Sequence, residues 1–493
     1  MRDKALTIAV VGSGTAGNIA AIHMRRAFPT SNIINVSSSK IGIIGVGEGS
    51  TEHWREFMTI CEIPVLEMIS QTLATHKYGI RFENWSRATP DYFHSVAGDE
   101  KVFAHGAYAT YAGFIERQKL LTTQTTSIGL TENKIRRKGL HDNTNQFHFD
   151  TFRLNEYFTS LCFERNIKLI DDEVTDVILD SETGNIKAVK LAQNPDVEAD
   201  FFIDATGFAR VLMTKLGNTE WVSFGSNLLC DSAIAFPTES DPSGQIRPYT
   251  RARAASAGWI WEIPTQERRG NGYVYSSAHL SVEQAVDEIT AMTGYKPQSV
   301  REFRFDPGYL KKQWVKNCCA VGLASSFVEP LEATSIGSTI QQVRALTPSL
   351  AAFTPTSSKM QVAYNKTMEG VMRNILTMIR LHYISDRVDT PFWADVQRMP
   401  INDELQELLD LWSERLPMRY DQPENFYCMF GPAHFIHVAQ GQNVLNTQSA
   451  SLTIDRFGIR EQVRQDMFER NADKFNHELV DHGESLREIY KYA

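Results

Sequence analysis

Cysteine is scarce in this chain of 493 residues, which holds six: Cys61, Cys162, Cys230, Cys318, Cys319 and Cys428. No two form a Cys-x-x-Cys pair and none stands at zinc-site spacing from a histidine. That excludes a structural zinc module and a disulfide-built secreted scaffold. Positive charge is also short: 50 Lys and Arg face 59 Asp and Glu, a formal net charge of −9. This argues against a nucleic-acid binder working through bulk charge. No apolar run approaches the ~18–20 residues of a membrane span. The chain starts basic and then apolar, as a signal peptide does. The apolar stretch is short, however, and runs into a glycine turn and a helical pattern, which fits a first buried strand. These absences predict a cytoplasmic protein with no membrane and no nucleic-acid partner. What is present is ordinary globular composition, with 42% apolar, 22% charged and 10% aromatic residues. The length suits roughly two to four domains, or one large elaborated one.

Thr7–Val11 is a β-rich run. Gly12-Ser-Gly-Thr-Ala-Gly17 follows, then a helical stretch to Ala27, then a second predicted strand at Ile33–Val36. In that context G-x-G-x-x-G reads as a dinucleotide cradle. Gly12 permits the tight turn, Gly14 lets backbone approach a pyrophosphate, and Gly17 lets the helix pack close to the strand. The helix N-terminus adds free N–H groups and a positive dipole end. Farther on, Lys168–Val177 and Ile186–Leu191 predict a hairpin pair. Phe201–Ala205 predicts a buried strand ending in Asp204-Ala-Thr-Gly207, and Cys319–Leu323 another short strand. Beyond Thr354 apolar residues take helical spacing, at Met368, Val371, Met372, Ile375, Met378 and Ile379, then at Leu405, Leu408, Leu409 and Trp412. The expectation is an α/β core over 1–354, with a mostly helical region over 355–493 packed on it.

Further motifs follow in order: Gly45-Val-Gly-Glu-Gly-Ser-Thr51, Lys77-Tyr-Gly-Ile-Arg-Phe82, Asp204-Ala-Thr-Gly-Phe208, Gly258-Trp-Ile-Trp-Glu-Ile-Pro264, Phe327-Val-Glu-Pro-Leu-Glu-Ala-Thr-Ser-Ile336 and Asp389-Thr-Pro-Phe-Trp393. From residue 6 to about residue 395 this series resembles the flavin-dependent tryptophan-type halogenases, with Trp259-x-Trp261-x-Ile-Pro264 as the signature element. The resemblance implies a glutathione-reductase-like FAD-binding fold of the flavin monooxygenase type, with a mixed substrate sheet and a helical C-terminal region. It implies FAD held by Gly12, Ser13, Gly14, Ala16, Gly17, Ser37, Val46, Gly47, Glu48, Val174, Leu323 and Ile336. FADH2 from a separate flavin reductase, with O2, would oxidise a halide ion held at Thr334 and Ser335 to hypohalous acid. The acid would pass through a tunnel to Lys77, with Glu332 as its partner, and there halogenate an electron-rich aromatic. Trp259 and Trp261 would form a barrier between flavin and substrate, and Glu329 would be structural. No metal is expected.

The residues themselves fit this reading. Lys77 lies in Thr75–Phe82, a stretch readable as a strand. A lysine held inward there loses water and with it basicity. It could donate as an ammonium or form a haloamine. Glu332, ahead of a helix predicted near Ser335, could orient the lysine or take the ring proton. Trp259 and Trp261 alternate, so they share one face of a strand. Ser37 stands where dinucleotide folds usually place an acid, and a hydroxyl without charge assistance implies weak FAD binding. Backbone N–H groups at a helix start favour any anion, which predicts that bromide or iodide is used more readily than chloride. The 416–442 segment is rich in aromatics but offers only Arg419 to grip a carboxylate. It predicts a small indole or phenol as substrate rather than free tryptophan. His94 and His105 read as surface histidines. The same fold also carries flavin hydroxylases and non-catalytic flavin binders. Trp259 and Trp261 with Lys77 argue against the first, and Lys77 with Glu332 against the second. Self-association is left open.

Overall fold

The computed structural model describes residues 5–489 apart from 46–47, 90, 96–111, 113–114, 116–128, 131, 137–145, 355–357, 423–424 and 459–478. Thr7–Val11 pairs in parallel with Asn32–Ser37 on one side and Phe201–Asp204 on the other. Lys168–Asp171 extends this sheet beyond Asn32–Ser37, and Cys318–Ala320 with Trp314–Val315 completes its six strands. Ile8, Ala9, Val10, Phe201, Phe202 and Ile203 are fully buried. A parallel sheet covered on both faces needs such unbroken apolar runs. Helix Thr15–Ala27 packs one face with Ile19, Ala20, Ile22 and Met24.

One predicted strand is in fact two. Lys168–Asp171 belongs to the parallel sheet, whereas Val174–Leu179 turns away to pair with Ile186–Leu191. Asp172 makes the break, its carboxylate accepting from the backbone N–H groups of Glu173, Gln193 and Asn194 at 2.8–2.9 Å.

A second, seven-stranded mixed sheet runs in the order Arg301–Arg304, Ser232–Glu239, Arg268–Tyr275, Gly258–Pro264, Tyr249–Ala254, Gly79–Glu83 and Asp91–Ser95. A small three-stranded sheet joins the two halves of the molecule, with Phe147–Phe149 between Glu48–Gly49 and Thr75–His76. Helix Ser358–His382 buries Tyr364, Met368, Val371, Met372, Ile375 and Ile379, a stripe at helical spacing. These residues enter the same core as Ile8 and Ile19. Among the described residues no helix is long and apolar enough to cross a membrane, and no cluster of His, Cys, Asp and Glu suits a metal ion.

Candidate active site

The glycine turn forms a cradle by steric necessity. Gly12 has φ +109°, and a Cβ there would lie 2.3 Å from the Ala205 carbonyl oxygen. A Cβ on Gly17 would lie 1.9 Å from the Gly12 oxygen. Gly14 is the opposite case: a Cβ would meet nothing within 4 Å. Open space therefore lies where a pyrophosphate would be held. The helix Thr15–Ala27 begins there with no side-chain cap and no acidic residue in its first turn. Asn18 N–H makes the first intrahelical bond, to the Gly14 carbonyl at 3.0 Å. The N–H groups of Thr15, Ala16 and Gly17 are thus free for an anion. The turn Gly322–Ala324, which contains Leu323, abuts this point: a Cβ on Gly322 would sit 2.5 Å from the Ala16 Cβ. The residues present fit FAD. Ser13 contributes its carbonyl to the Asn18 side chain at 3.1 Å.

Ser37 ends its strand opposite Asp171, and the Asp171 carboxylate accepts from Ser39 N–H at 2.8 Å. Asp204 is occupied structurally, accepting from Leu212 and Met213 N–H at 2.9 Å. Val174 heads its own strand, and Ile336 is buried in the first turn of helix Thr334–Ala351. Val46, Gly47 and His105 lie outside the described residues, as do the side chains of Glu48 and Arg419.

Lys77 is not on a strand. It occupies the break between Thr75–His76 and Gly79–Glu83, which belong to different sheets. The strand Phe147–Phe149 sets its place: Ser50 N–H bonds the Phe147 carbonyl at 2.8 Å and Lys77 N–H bonds that of Gln146 at 3.0 Å. The side chain, 1% exposed, donates from Nζ to the Ser50 carbonyl at 2.8 Å. Burial pushes its ammonium down to about 8, against the opposing pull of the Glu332 and Glu52 charges. Lys77 does not pair directly with Glu332.

Glu332 is held by histidines instead. It ends the turn Pro330–Glu332 and is 3% exposed. His94 Nδ1 lies 2.8 and 2.9 Å from its two oxygens, and His382 Nε2 lies 2.7 Å from Oε1. An ionised carboxylate only accepts, so both rings donate to it. Burial would raise the Glu332 carboxyl, but the charge and bonds of His94 and His382 hold it well below the usual carboxylate range. His382 Nδ1 meets the Tyr92 hydroxyl at 2.8 Å. His94 is therefore no surface residue; it is 5% exposed on strand Asp91–Ser95.

Thr334 and Ser335 open the 18-residue helix Thr334–Ala351, one residue earlier than the sequence suggests. Ala333 caps it in the left-handed conformation, φ 53°, with no side-chain cap and no acid in the first turn, which leaves the first N–H groups free. Gly49 lies between this helix start and the lysine. A Cβ on it would stand 3.5 Å from Lys77 Nζ and 3.7 Å from the Ala333 Cβ. Trp259 and Trp261 share the strand Gly258–Pro264, with ring centroids 6.1 Å apart, and are buried. Trp259 Nε1 donates to Glu329 at 3.1 Å and the Tyr383 hydroxyl donates to it at 2.7 Å. Burial pushes the Glu329 carboxyl up to about 7, opposed by those two bonds.

Sequence reasoning missed His94, His382, His434, Glu52, Tyr92 and Ser50. His434 and His437 were visible one helical turn apart, a spacing that sets both on one face. Helix Pro432–Gly441 buries that face beside His94, the His434 Nδ1 to His94 Nε2 distance being 2.8 Å.

A parallel sheet ending in a phosphate cradle, joined to a mixed sheet and capped by helices, is the glutathione-reductase-like FAD-binding fold of flavin monooxygenases. The chain belongs to the tryptophan halogenase family, which it matches over residues 7–456, and it is a flavin-dependent halogenase. It is 30% identical over 448 residues to the tryptophan 6-halogenase SttH of Streptomyces toxytricini, covering 83% of this chain and 84% of that one. The solved structure of SttH matches with a TM-score of 0.88 at 26% identity, covering 99% of this chain and 100% of that chain. BrvH, a flavin-dependent halogenase from Brevundimonas sp. BAL3, matches with a TM-score of 0.84 at 26% identity over 99% of each chain. The 7-chloro-L-tryptophan 6-halogenase KtzR of Kutzneria sp. (strain 744) is 31% identical over 451 residues, covering 83% of this chain and 85% of that one.

Proposed function

We propose that the protein uses FADH2, delivered by a separate flavin reductase, to halogenate a small indole- or phenol-type molecule. When bound, reduced FAD together with O2 supplies the oxidising equivalents that turn halide into hypohalous acid. Thr334 and Ser335 present helix-start N–H groups to the halide. Lys77 receives the hypohalous acid and hydrogen-bonds its oxygen; an aromatic carbon attacks the halogen, the oxygen–halogen bond breaks, and the released hydroxide takes the lysine proton and leaves as water. Glu332 takes the proton that the ring then loses. Trp259 and Trp261 keep the aromatic substrate away from the flavin. The observation that supports this reading is the fully buried Lys77, whose amine would stand 3.5 Å from a Cβ on Gly49 and feels the Glu332 charge.

The test is an assay with FAD, a flavin reductase, NADH, each halide in turn and a panel of indoles and phenols, read by mass spectrometry. Halogenated indole or phenol is expected, with bromide or iodide outcompeting chloride and free tryptophan a poor substrate. Lys77→Ala should abolish product while NADH consumption continues; retained halogenation at the parental rate removes Lys77 from the reaction. Ser37→Glu should tighten FAD binding by roughly 10–150-fold, the worth of one charge-assisted bond of about 1.5–3 kcal/mol. An unchanged dissociation constant in a fluorescence titration contradicts the role of Ser37.

A further inference from the structure

Glu332 is one end of a chain of short contacts. His94 Nδ1 faces Glu332 at 2.8 Å, His94 Nε2 faces His434 Nδ1 at 2.8 Å, and His434 Nε2 faces Glu52 Oε1 at 3.1 Å. Glu332 is buried, whereas the Glu52 side chain is 30% exposed, so the chain runs from the interior to the rim. Its protons can be counted from the geometry. A carboxylate has no hydrogen to give, so each ring nitrogen facing one must carry a proton. The contact between the two rings needs one proton more. The pair therefore holds one proton for each of the three contacts, against two in a pair of neutral rings, and carries one positive charge.

The surroundings are consistent with that charge resting on the pair. Burial would lower His434, but the Glu52 charge and bond, with the Glu332 charge, raise it. Burial would raise Glu52, but His434 and His53 bring its carboxyl down to about 2. His437, on the same helix as His434, is driven well below its usual value by burial and by positive charge on the neighbouring His94–His434 pair. His382 is lowered by burial, against the pull of Glu332, to which it donates, and it faces the Tyr92 hydroxyl. Lys77 also feels the charge of both carboxylates.

We propose that Glu52 and His434 are positioning residues for Glu332: they hold an imidazolium pair, His94–His434, that keeps the Glu332 carboxylate ionised and ready to accept a proton. This rests on the role given to Glu332 above. Glu52→Gln lifts the constraint, because an amide can either donate to or accept from His434, and the pair can then fall to two protons.

Two measurements test it. In nitrogen-15 NMR of histidine-labelled protein near pH 7, the wild type should show one imidazolium shared by His94 and His434, and Glu52→Gln should show two neutral rings. This readout needs no turnover, so it stands even if no aromatic substrate is halogenated. In the halogenation assay, Glu52→Gln should move the acid limb of the kcat/KM profile up by about one pH unit, the effect of removing one nearby opposite charge, with KM for halide unchanged. Two neutral rings in the wild type overturn the proposal. So does a Glu52→Gln profile that superimposes on the parental one, or one that falls uniformly with no change of shape.

Discussion

Glu329 and Glu332 flank the same short turn, and both are buried, yet their surroundings drive them in opposite directions. Glu329 faces a phenol and an indole, neutral donors that offset burial only partly, and its carboxyl rises to about 7. Glu332 faces two imidazoles, one of them in a chain that carries positive charge, and it is held ionised. Depth alone does not decide the state of a carboxyl group. The charge and number of its donors do. Glu329 braces the tryptophan strand against helix Ser358–His382 with its continuation at Tyr383, whereas Glu332 is clamped as a carboxylate by His94 and His382.

The contrast can be broken most directly by activity. Glu332→Gln should lower halogenation by about 10²–10⁴-fold, the usual worth of a general base, while Glu329→Gln changes the rate little. Product formation at saturating halide measures both, and equal losses would mean that the two carboxyls share one task. Stability against pH sharpens the comparison next. Glu329 has a raised value, from the ordinary 4.5 to about 7, so its contribution is full below the unfolded value and is lost as pH rises through 7. Glu329→Gln, which cannot ionise, should therefore gain about 3 kcal/mol on the wild type between pH 4 and pH 8, each pH unit that separates the folded from the unfolded value being worth ~1.4 kcal/mol. Urea unfolding at the two pH values measures it, and parallel stabilities would show that Glu329 stays ionised.

Glu332 should behave in the mirror sense. Its depressed value gives stability that is present above the unfolded 4.5 and lost as pH falls through the folded one. Glu332→Gln should flatten that acid limb of the unfolding curve, and an unaltered limb would count against the histidine clamp. The smallest effect belongs to Tyr383→Phe. Losing one hydroxyl donor should cost about 1 kcal/mol and move the Glu329 transition to higher pH, since the phenol favours the charged form. A downward move would reverse the assignment of donor and acceptor.

The flavin end of the molecule was legible because it is written locally. Gly12, Gly14 and Gly17 sit within a single turn, and each spacing has its own steric reason. Lys77, Glu332 and the tryptophan pair were singled out through motifs of similar length, and all four are buried. The clamp was not, because its parts meet only in three dimensions: His94 comes from an edge strand, His382 from the end of a long helix and His434 from a helix near the C-terminus. A histidine in a polar stretch carries no mark of burial until its partners are placed. The misread strand at Lys168–Val177 failed for a related reason. Asp172 looks like one more polar residue on an exposed edge, and its carboxylate ends the strand only because the loop at Gln193 and Asn194 returns to it.

Gly49 gives the molecule a point of adjustment one methyl group wide. Its backbone is not left-handed, and a side-chain carbon there would touch His148, Lys77 and Ala333 at 3.5–3.7 Å, ordinary contact distances. Alanine at this position therefore fits without strain, and it would take up the space between the helix that opens at Thr334 and the lysine amine. The spacing between that helix start and the lysine amine thus depends on a residue with no side chain of its own. One methyl group, added in the gene, would close that gap by contact alone while the fold stays as it is.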